Sequence, residues 1–354
     1  EDQKRAILNR SESRYCAYSL VVAFSIITVE LFQEVLIMRL ATTIGDFAKC
    51  TYSNPAFSTA DAVRMFEGTG FKYLDYDFYG VIYPGSPFLT DHWLDHVMEA
   101  GEAADRLGMK FVQAHSPNYN PQDPNFDHDS GMLATIRSIE ACGHLGIPNL
   151  VVHSGFSYDY RYPQDRDVYF AFNRKFYESL FPAMEKHNVN VLIENSAEKN
   201  MQGKYFFMSG QEMTDFLDEI SHPLLHAAWD TGHANMRGCN QYQEICRLGS
   251  HLKALHIQDN FGTYDEHFAP LMGTTDMDAV MQGLKSIQYD GYFTFESCNI
   301  LAYWGCWPHP RQETHDLPEP RRVASPDPGL RREAEALLYK IGKYILTKYD
   351  CFEE

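Results

Sequence analysis

From residue 40 to residue 348 the chain alternates short apolar runs with longer stretches whose apolar positions recur every three to four residues. The runs predict strands at 40–45, 71–77, 110–115, 149–153, 189–194, 224–230, 252–256 and 292–296. The helical spacing predicts helices at 59–70, 91–107, 131–145, 167–187, 209–220, 241–248, 276–287 and 330–348. Ser58 is placed to cap the first helix and Gly70 to stop it, Thr90 and Gly108 bracket the second, and Pro182 kinks or restarts the fourth. Ser209 followed by Glu212 has the spacing of a capping box. Eight β/α pairs in series predict an α/β protein with a single (β/α)8 TIM barrel. A doubly wound sheet is the alternative, and no Gly-rich phosphate loop supports it. The Pro-, Trp- and Arg-rich stretch 299–328 is too long for a plain turn and is expected to form a lid.

The first 37 residues do not fit the alternation. Their apolar run, 20–29, is too short to span a bilayer, and Glu30 and Glu34 interrupt its continuation. Lys4, Arg5, Arg10 and Arg14 precede the run as in a signal peptide, but no small-x-small cleavage site follows. The expectation is an N-terminal extension at 1–37, with Met38 as a natural start and the barrel occupying 38–354. A net charge of -18 argues against broad surfaces for nucleic acid or anionic membrane. Eight cysteines without a Cys-x-x-Cys pair exclude a zinc finger and suit reduced thiols in the cytoplasm.

In a barrel of this kind chemistry gathers at the C-terminal strand ends. The predicted runs close on His115, His153, Glu194, Asp230, His256 and Glu296. A single histidine there is ordinarily a hydrogen-bonded core residue; six such ends converging on one axis call for another explanation. Asp230 is followed by Gly232 and His233, which reads either as a capping turn or as a second group presented beside the acid. Glu194, Asp230, His256 and Glu296 form a mixed oxygen and nitrogen donor set for a divalent ion, Mn²⁺ first and otherwise Co²⁺, Mg²⁺ or Zn²⁺. Such an ion polarises a carbonyl and eases loss of a proton from the adjacent carbon. Glu194 and Glu296, across the mouth from each other, are spaced for two-base chemistry. The loop after the seventh strand must pass the metal, which nominates Asp265 and His267. Glu198 and Lys199 either reach substrate hydroxyls or form a solvated pair, and Trp304, Trp307 and Arg311 belong either to the lid or to a subunit interface. Asp91, His92, Asp95 and His96 have the spacing of an ordinary polar helix face.

Ile193-Glu194-Asn195, Trp229-Asp230-Thr231-Gly232-His233, Leu255-His256-Ile257 and Phe295-Glu296 resemble the metal-ligand motifs of the xylose-isomerase-like barrel superfamily. The resemblance is strongest to its sugar isomerase/epimerase branch, which contains the tagatose 3-epimerase-like ketose epimerases, and it runs from about Met38 through Glu296. It implies that Glu194, Asp230, His256 and Glu296 hold one metal, that Glu194 and Glu296 exchange the proton, and that His233 contacts substrate oxygens. His115, His153, Asp265, His267, Glu198 and Trp304 complete the expected substrate contacts. One departure stands out. The ketose epimerases carry an arginine shortly after the seventh-strand histidine, where this chain has Asp265-Glu266-His267. That element resembles other sugar isomerase/epimerase relatives and also the apurinic endonucleases of the same superfamily. In the latter, His115, His153, Glu194, Asp230, His233, His256, Asp265, His267 and Glu296 match the ligands of a three-zinc cluster. The aromatic-rich stretches 73–83 and 303–307 suit the apolar face of a sugar ring. The expectation is a metal-dependent isomerase or epimerase working through an enediolate, with a lyase or the endonuclease as alternatives. Its partner would be a small carbohydrate rather than nucleic acid or membrane, and its state a cytoplasmic homo-oligomer.

Overall fold

Each of the eight apolar runs forms a strand: β1 (Arg39–Thr43), β2 (Tyr73–Asp77), β3 (Lys110–His115), β4 (Asn149–Val151), β5 (Asn190–Glu194), β6 (Leu225–Asp230), β7 (Leu252–His256) and β8 (Tyr292–Phe295). The computed structural model describes residues 36–47, 57–301, 308–309, 316–318, 321–323 and 326–352. The chain divides into Glu1–Leu36 and Ile37–Glu354, and the second unit carries the fold. Its strands lie side by side in the order β7-β6-β5-β4-β3-β2-β1-β8. The paired neighbours run parallel. Ile257, just past β7, closes the ring: its N–H donates to Thr294 O at 2.8 Å and its carbonyl accepts from Glu296 N at 3.0 Å. The expected (β/α)8 barrel is therefore the observed fold.

Between the strands run α1 (Thr59–Arg64), α2 (Trp93–Arg106), α3 (His128–Leu145), α4 (Arg166–Glu178), α5 (Phe181–His187), α6 (Gly210–Ile220), α7 (Thr231–Arg237), α8 (Gln241–Leu248) and α9 (Met277–Ser286). The closing helix is α10 (Pro328–Lys348). The outward strand faces anchor these helices. Trp229 is buried and its Nε1 donates to Gln241 Oε1 at 2.9 Å, tying β6 to α8. Gly342 lets α10 approach the sheet, since a Cβ there would lie 2.6 Å from Leu40 Cδ2 and 2.7 Å from Phe295 Cζ. The inward faces fill the barrel in layers. Val151, Leu192, Ala228 and Ala254 form one buried cluster. Because side chains alternate along a strand, the residues two positions further on, His153, Glu194, Asp230 and His256, are directed toward the mouth.

Several boundaries differ from expectation for local reasons. The first helix ends at Arg64, not residue 70, although Ser58 and Asp61 form a full capping box; Thr69 Oγ1 donates to Phe66 O at 2.8 Å in the turn that follows. The third helix starts at His128, because Asp127 caps it by accepting from Ser130 N at 3.2 Å. The stretch 167–187 is two helices, with Pro182 in the first turn of α5, where its missing N–H costs nothing. Ser209 caps α6, while Glu212 Oε2 accepts from Met208 N at 3.2 Å, one residue earlier than a capping box requires. β4 stops at Val151, so His153 stands on the loop beyond it. Among the described residues no helix is long and apolar enough to cross a membrane.

Candidate active site

Glu194 ends β5, Asp230 ends β6, His256 ends β7, and Glu296 follows β8. Their ligand atoms all lie within 4.8 Å of one another. His256 Nδ1 contacts Glu194 Oε1 and stands 3.5 Å from Glu296 Oε2. Asn195 cross-ties the ends of β5 and β6, with Oδ1 accepting from Asp230 N at 2.7 Å and Nδ2 donating to Asp230 O at 3.0 Å. Asp230 Oδ1 accepts from His233 N at 2.6 Å, so the same carboxylate caps α7 and faces the cluster. The stretch is a capping turn, and it leaves the His233 ring with Nδ1 3.6 Å from Asp230 Oδ1.

A second group, His115, His153 and Glu194, shares Glu194 with the first. His115 Nδ1 donates to Ser116 O at 2.8 Å, because a carbonyl only accepts. Burial, then His153, pushes the His115 imidazole down to about 4, so it is neutral with a bare Nε2. That Nε2 lies 3.2 Å from His153 Nε2, which lies 2.8 Å from Glu194 Oε2. His153 Nε2 therefore carries a proton and donates it to the Glu194 carboxylate, and His115 Nε2, His153 Nε2 and Glu194 Oε2 face one point.

The third assembly centres on Asp265. Its Oδ2 is 3.0 Å from His233 Nε2 and 3.2 Å from His267 Nε2, and its Oδ1 accepts from Gln258 Nε2 at 2.6 Å. The Nδ1 atoms of both histidines donate to carbonyls, His233 to Asn195 O and His267 to Glu296 O, each at 2.9 Å. Burial opposes charge on these rings, but Asp230 and Asp265 hold His233 up at about 10, and Asp265 and Glu296 hold His267 well above the usual range. In return, against the penalty of burial, His233 and His267 hold the Asp265 carboxyl well below the carboxylate range.

Around the first group, burial raises Asp230 to about 7, with the charges of Glu194, Asp265 and Glu296 adding to it against His233. Glu194 is held well below the carboxylate range by His256 and His153 in spite of its burial, and Glu296 is lowered by His256 and His267. Glu198 turns to Arg237, at 3.6 Å, rather than to the cluster, and Lys199 Nζ donates to Gly262 O at 2.6 Å. Trp304, Trp307 and Arg311 lie outside the described residues. Sequence reasoning missed Asn195 and Gln258, whose signal was a polar residue one or two places past a strand-end ligand. It also missed Asp75 and Gln113, which are buried inside the barrel and linked by a 2.8 Å hydrogen bond.

The profile of the xylose isomerase-like TIM barrel family matches residues 69–317. The chain belongs to that family. A related, uncharacterized protein of Sinorhizobium fredii is 23% identical over 207 residues, a match that spans 58% of this chain and 65% of the relative, just under two thirds of its length. L-ribulose 3-epimerase of Methylomonas sp. is 29% identical over 112 residues, 31% of this chain and 35% of that protein. Among solved structures, D-psicose 3-epimerase of Clostridium cellulolyticum H10 with D-tagatose superposes with a TM-score of 0.61 at 16% identity, covering 87% of this chain and 99% of that one. At that identity the likeness shows a shared barrel fold.

Proposed function

We propose that this chain is a metal-dependent sugar isomerase or epimerase in which Glu194 and Glu296 act as the acid/base pair. The observation that carries the reading is the convergence of Glu194, Asp230, His256 and Glu296, with ligand atoms within 4.8 Å. Three carboxylates and one imidazole nitrogen fit a hard to borderline divalent ion, for which we take Mn²⁺ as first candidate. When bound, such an ion supplies Lewis-acid polarisation of a carbonyl oxygen. The relatives, an L-ribulose 3-epimerase and a D-psicose 3-epimerase, support a small carbohydrate as substrate.

The chain's own groups divide the work. Glu296 has 22% of its side chain exposed and is open to the mouth, whereas Glu194 is 2% exposed and held by His153 and His256. One of the two takes the proton from the carbon beside the carbonyl, and the C–H electron pair moves into an enediolate. The other returns a proton: to the same carbon from the opposite face in an epimerase, or to the neighbouring carbon in an isomerase. Expulsion of a leaving group from the same carbanion would make the enzyme a lyase. We take His115, His153 and His233 as the groups that contact substrate hydroxyls. The test is solvent-deuterium incorporation into a panel of ketoses and 3-keto-sugars with Mn²⁺ bound. Glu296→Gln is expected to slow it by about 10²-fold or more; an unchanged rate would sink the reading.

A second reading has specific support, because the His115, His153, Glu194 group abuts the first and the Asp265 assembly follows it. These are the positions that match a three-zinc hydrolytic cluster. A net charge of -18 weighs against a polyanionic substrate. Elemental analysis decides between them: one equivalent of metal supports the sugar enzyme, while three equivalents together with cleavage of abasic-site DNA replace it with the endonuclease.

A further inference from the structure

We propose that Asp75 is a positioning residue that, from inside the barrel, orients His256 and keeps the proton on its Nε2, so that Nδ1 is delivered to the cluster formed with Glu194, Asp230 and Glu296. The proposal rests on the metal reading above. Asp75 lies mid-strand in β2, in the run Tyr73-Leu74-Asp75-Tyr76-Asp77, and is 1% exposed. Its Oδ2 stands 3.5 Å from His256 Nε2. Gln113 Nε2 donates to that Oδ2 at 2.8 Å and reaches Leu255 O at 3.3 Å, so it links Asp75 to the residue before His256.

Two facts turn this proximity into a role. His256 Nε2 and Asp75 Oδ1 are both buried without a hydrogen-bond partner among the described residues. The opposite ring nitrogen, Nδ1, is the one that faces Glu194 and Glu296. An imidazole that binds a cation through Nδ1 is neutral and carries its proton on Nε2, and a carboxylate behind that N–H fixes both tautomer and ring angle. The bland alternative is a buried acid with no task. That is costly, because a buried acid with one oxygen left unpartnered is disfavoured, and inward positions on four other strands hold Val151, Leu192, Ala228 and Ala254. The acid stands where it meets the back of His256.

The test measures Mn²⁺ affinity of metal-stripped protein by calorimetric titration, together with ¹⁵N spectra of the His256 ring. Asp75→Leu is expected to weaken Mn²⁺ binding by about 10–100-fold and to lose the Nε2–H signal, with Asp75→Ala in its place if the leucine variant does not fold. Asp75→Asn, which keeps an oxygen to accept from Nε2, is expected to recover most of the affinity. A purely structural Asp75 would instead lower the unfolding temperature of the stripped protein and leave Mn²⁺ affinity within about twofold of wild type, which overturns the proposal. So does an asparagine variant as weak as the apolar one. If the wild type binds no Mn²⁺, the metal reading falls by itself, and the ring spectrum then decides about Asp75: Nε2 protonation that survives Asp75→Leu rejects its role.

Discussion

Asp230 closes β6 and opens α7 with one carboxylate, and the two duties can be separated. Asparagine caps a helix as well as aspartate does but brings no charge. Asp230→Asn is therefore expected to leave urea unfolding of the metal-stripped protein no less stable than wild type, while Mn²⁺ affinity falls at least ~10-fold, since even residues behind a ligand are worth that much. Asp230→Ala should lose both, with about 1 kcal/mol of stability from the cap. Equal affinity in Asp230→Asn and wild type would remove Asp230 from the ligand set. Glu335 poses a different question, far from the cluster. Thr42 Oγ1 donates to its Oε2 at 3.3 Å. Burial first, and then the Asp46 charge, pushes the Glu335 carboxyl well above its usual range. The folded pKa is raised, so its contribution to stability is fully present below the unfolded value of about 4.3 and is lost as the pH rises toward the folded one. Glu335→Gln should match wild type near pH 4 and exceed it by about 1–3 kcal/mol near pH 8. Urea unfolding at the two pH values checks this, and a variant less stable than wild type near pH 8 rejects it.

Among the elements, the strands and their chemical ends were legible because two signals coincide there: an apolar run of strand length, and a polar residue that closes it. α7 was not. Its seven residues are too few for a hydrophobic repeat, and it exists because Asp230 caps one end and Gly238, at φ 71°, terminates the other. Asp75 and Gln113 escaped for another reason, since a polar residue at an inward strand position looks the same in sequence as one facing outward until the barrel assigns the faces. Gln258 carried only a position two places past His256, because its partners, Asp230 at the end of β6 and Asp265 on the loop after β7, meet it only in the folded barrel. Gly232 shows how tightly these elements meet. A Cβ there would lie 2.1 Å from Gln258 Cδ. Gly232→Ala should force Gln258 off Asp265 and destabilise by about 1–3 kcal/mol in urea unfolding. In the double variant with Gln258→Ala the loss should shrink, giving a coupling of at least about 0.5 kcal/mol. Strictly additive losses would show that the two residues do not press on each other.

At the scale of the whole barrel, the seam between the two ends of the strand order and the candidate site coincide. β7 and β8 are joined beyond their regular ends by the Ile257 bridge, to which Ser297 Oγ adds a hydrogen bond on Ile257 O at 2.9 Å. His256 and Glu296 flank that seam, and Glu194 and Asp230 come from the two strands preceding β7. Four carboxylates, Glu194, Asp230, Glu296 and Asp265, are buried or half-buried at this mouth in a chain with a net charge of -18. A cation held by the first three and His256 would relieve their repulsion and brace the seam. At a hundredfold excess over its dissociation constant it contributes about 2.7 kcal/mol, roughly 4 °C for a domain of this size. Mn²⁺ should therefore raise the unfolding temperature of chelator-stripped protein by that order. It should also slow hydrogen exchange at the amides of Ile257 and Glu296 more than at the β3–β4 pairing on the far side of the ring. Sodium chloride at matched ionic strength separates ligation from screening, since screening raises stability without selecting the seam. Glu194→Gln should abolish the Mn²⁺-specific shift. An unfolding temperature that responds equally to sodium chloride and Mn²⁺, with no added protection at Ile257, would mean that the mouth is acidic without being a metal site.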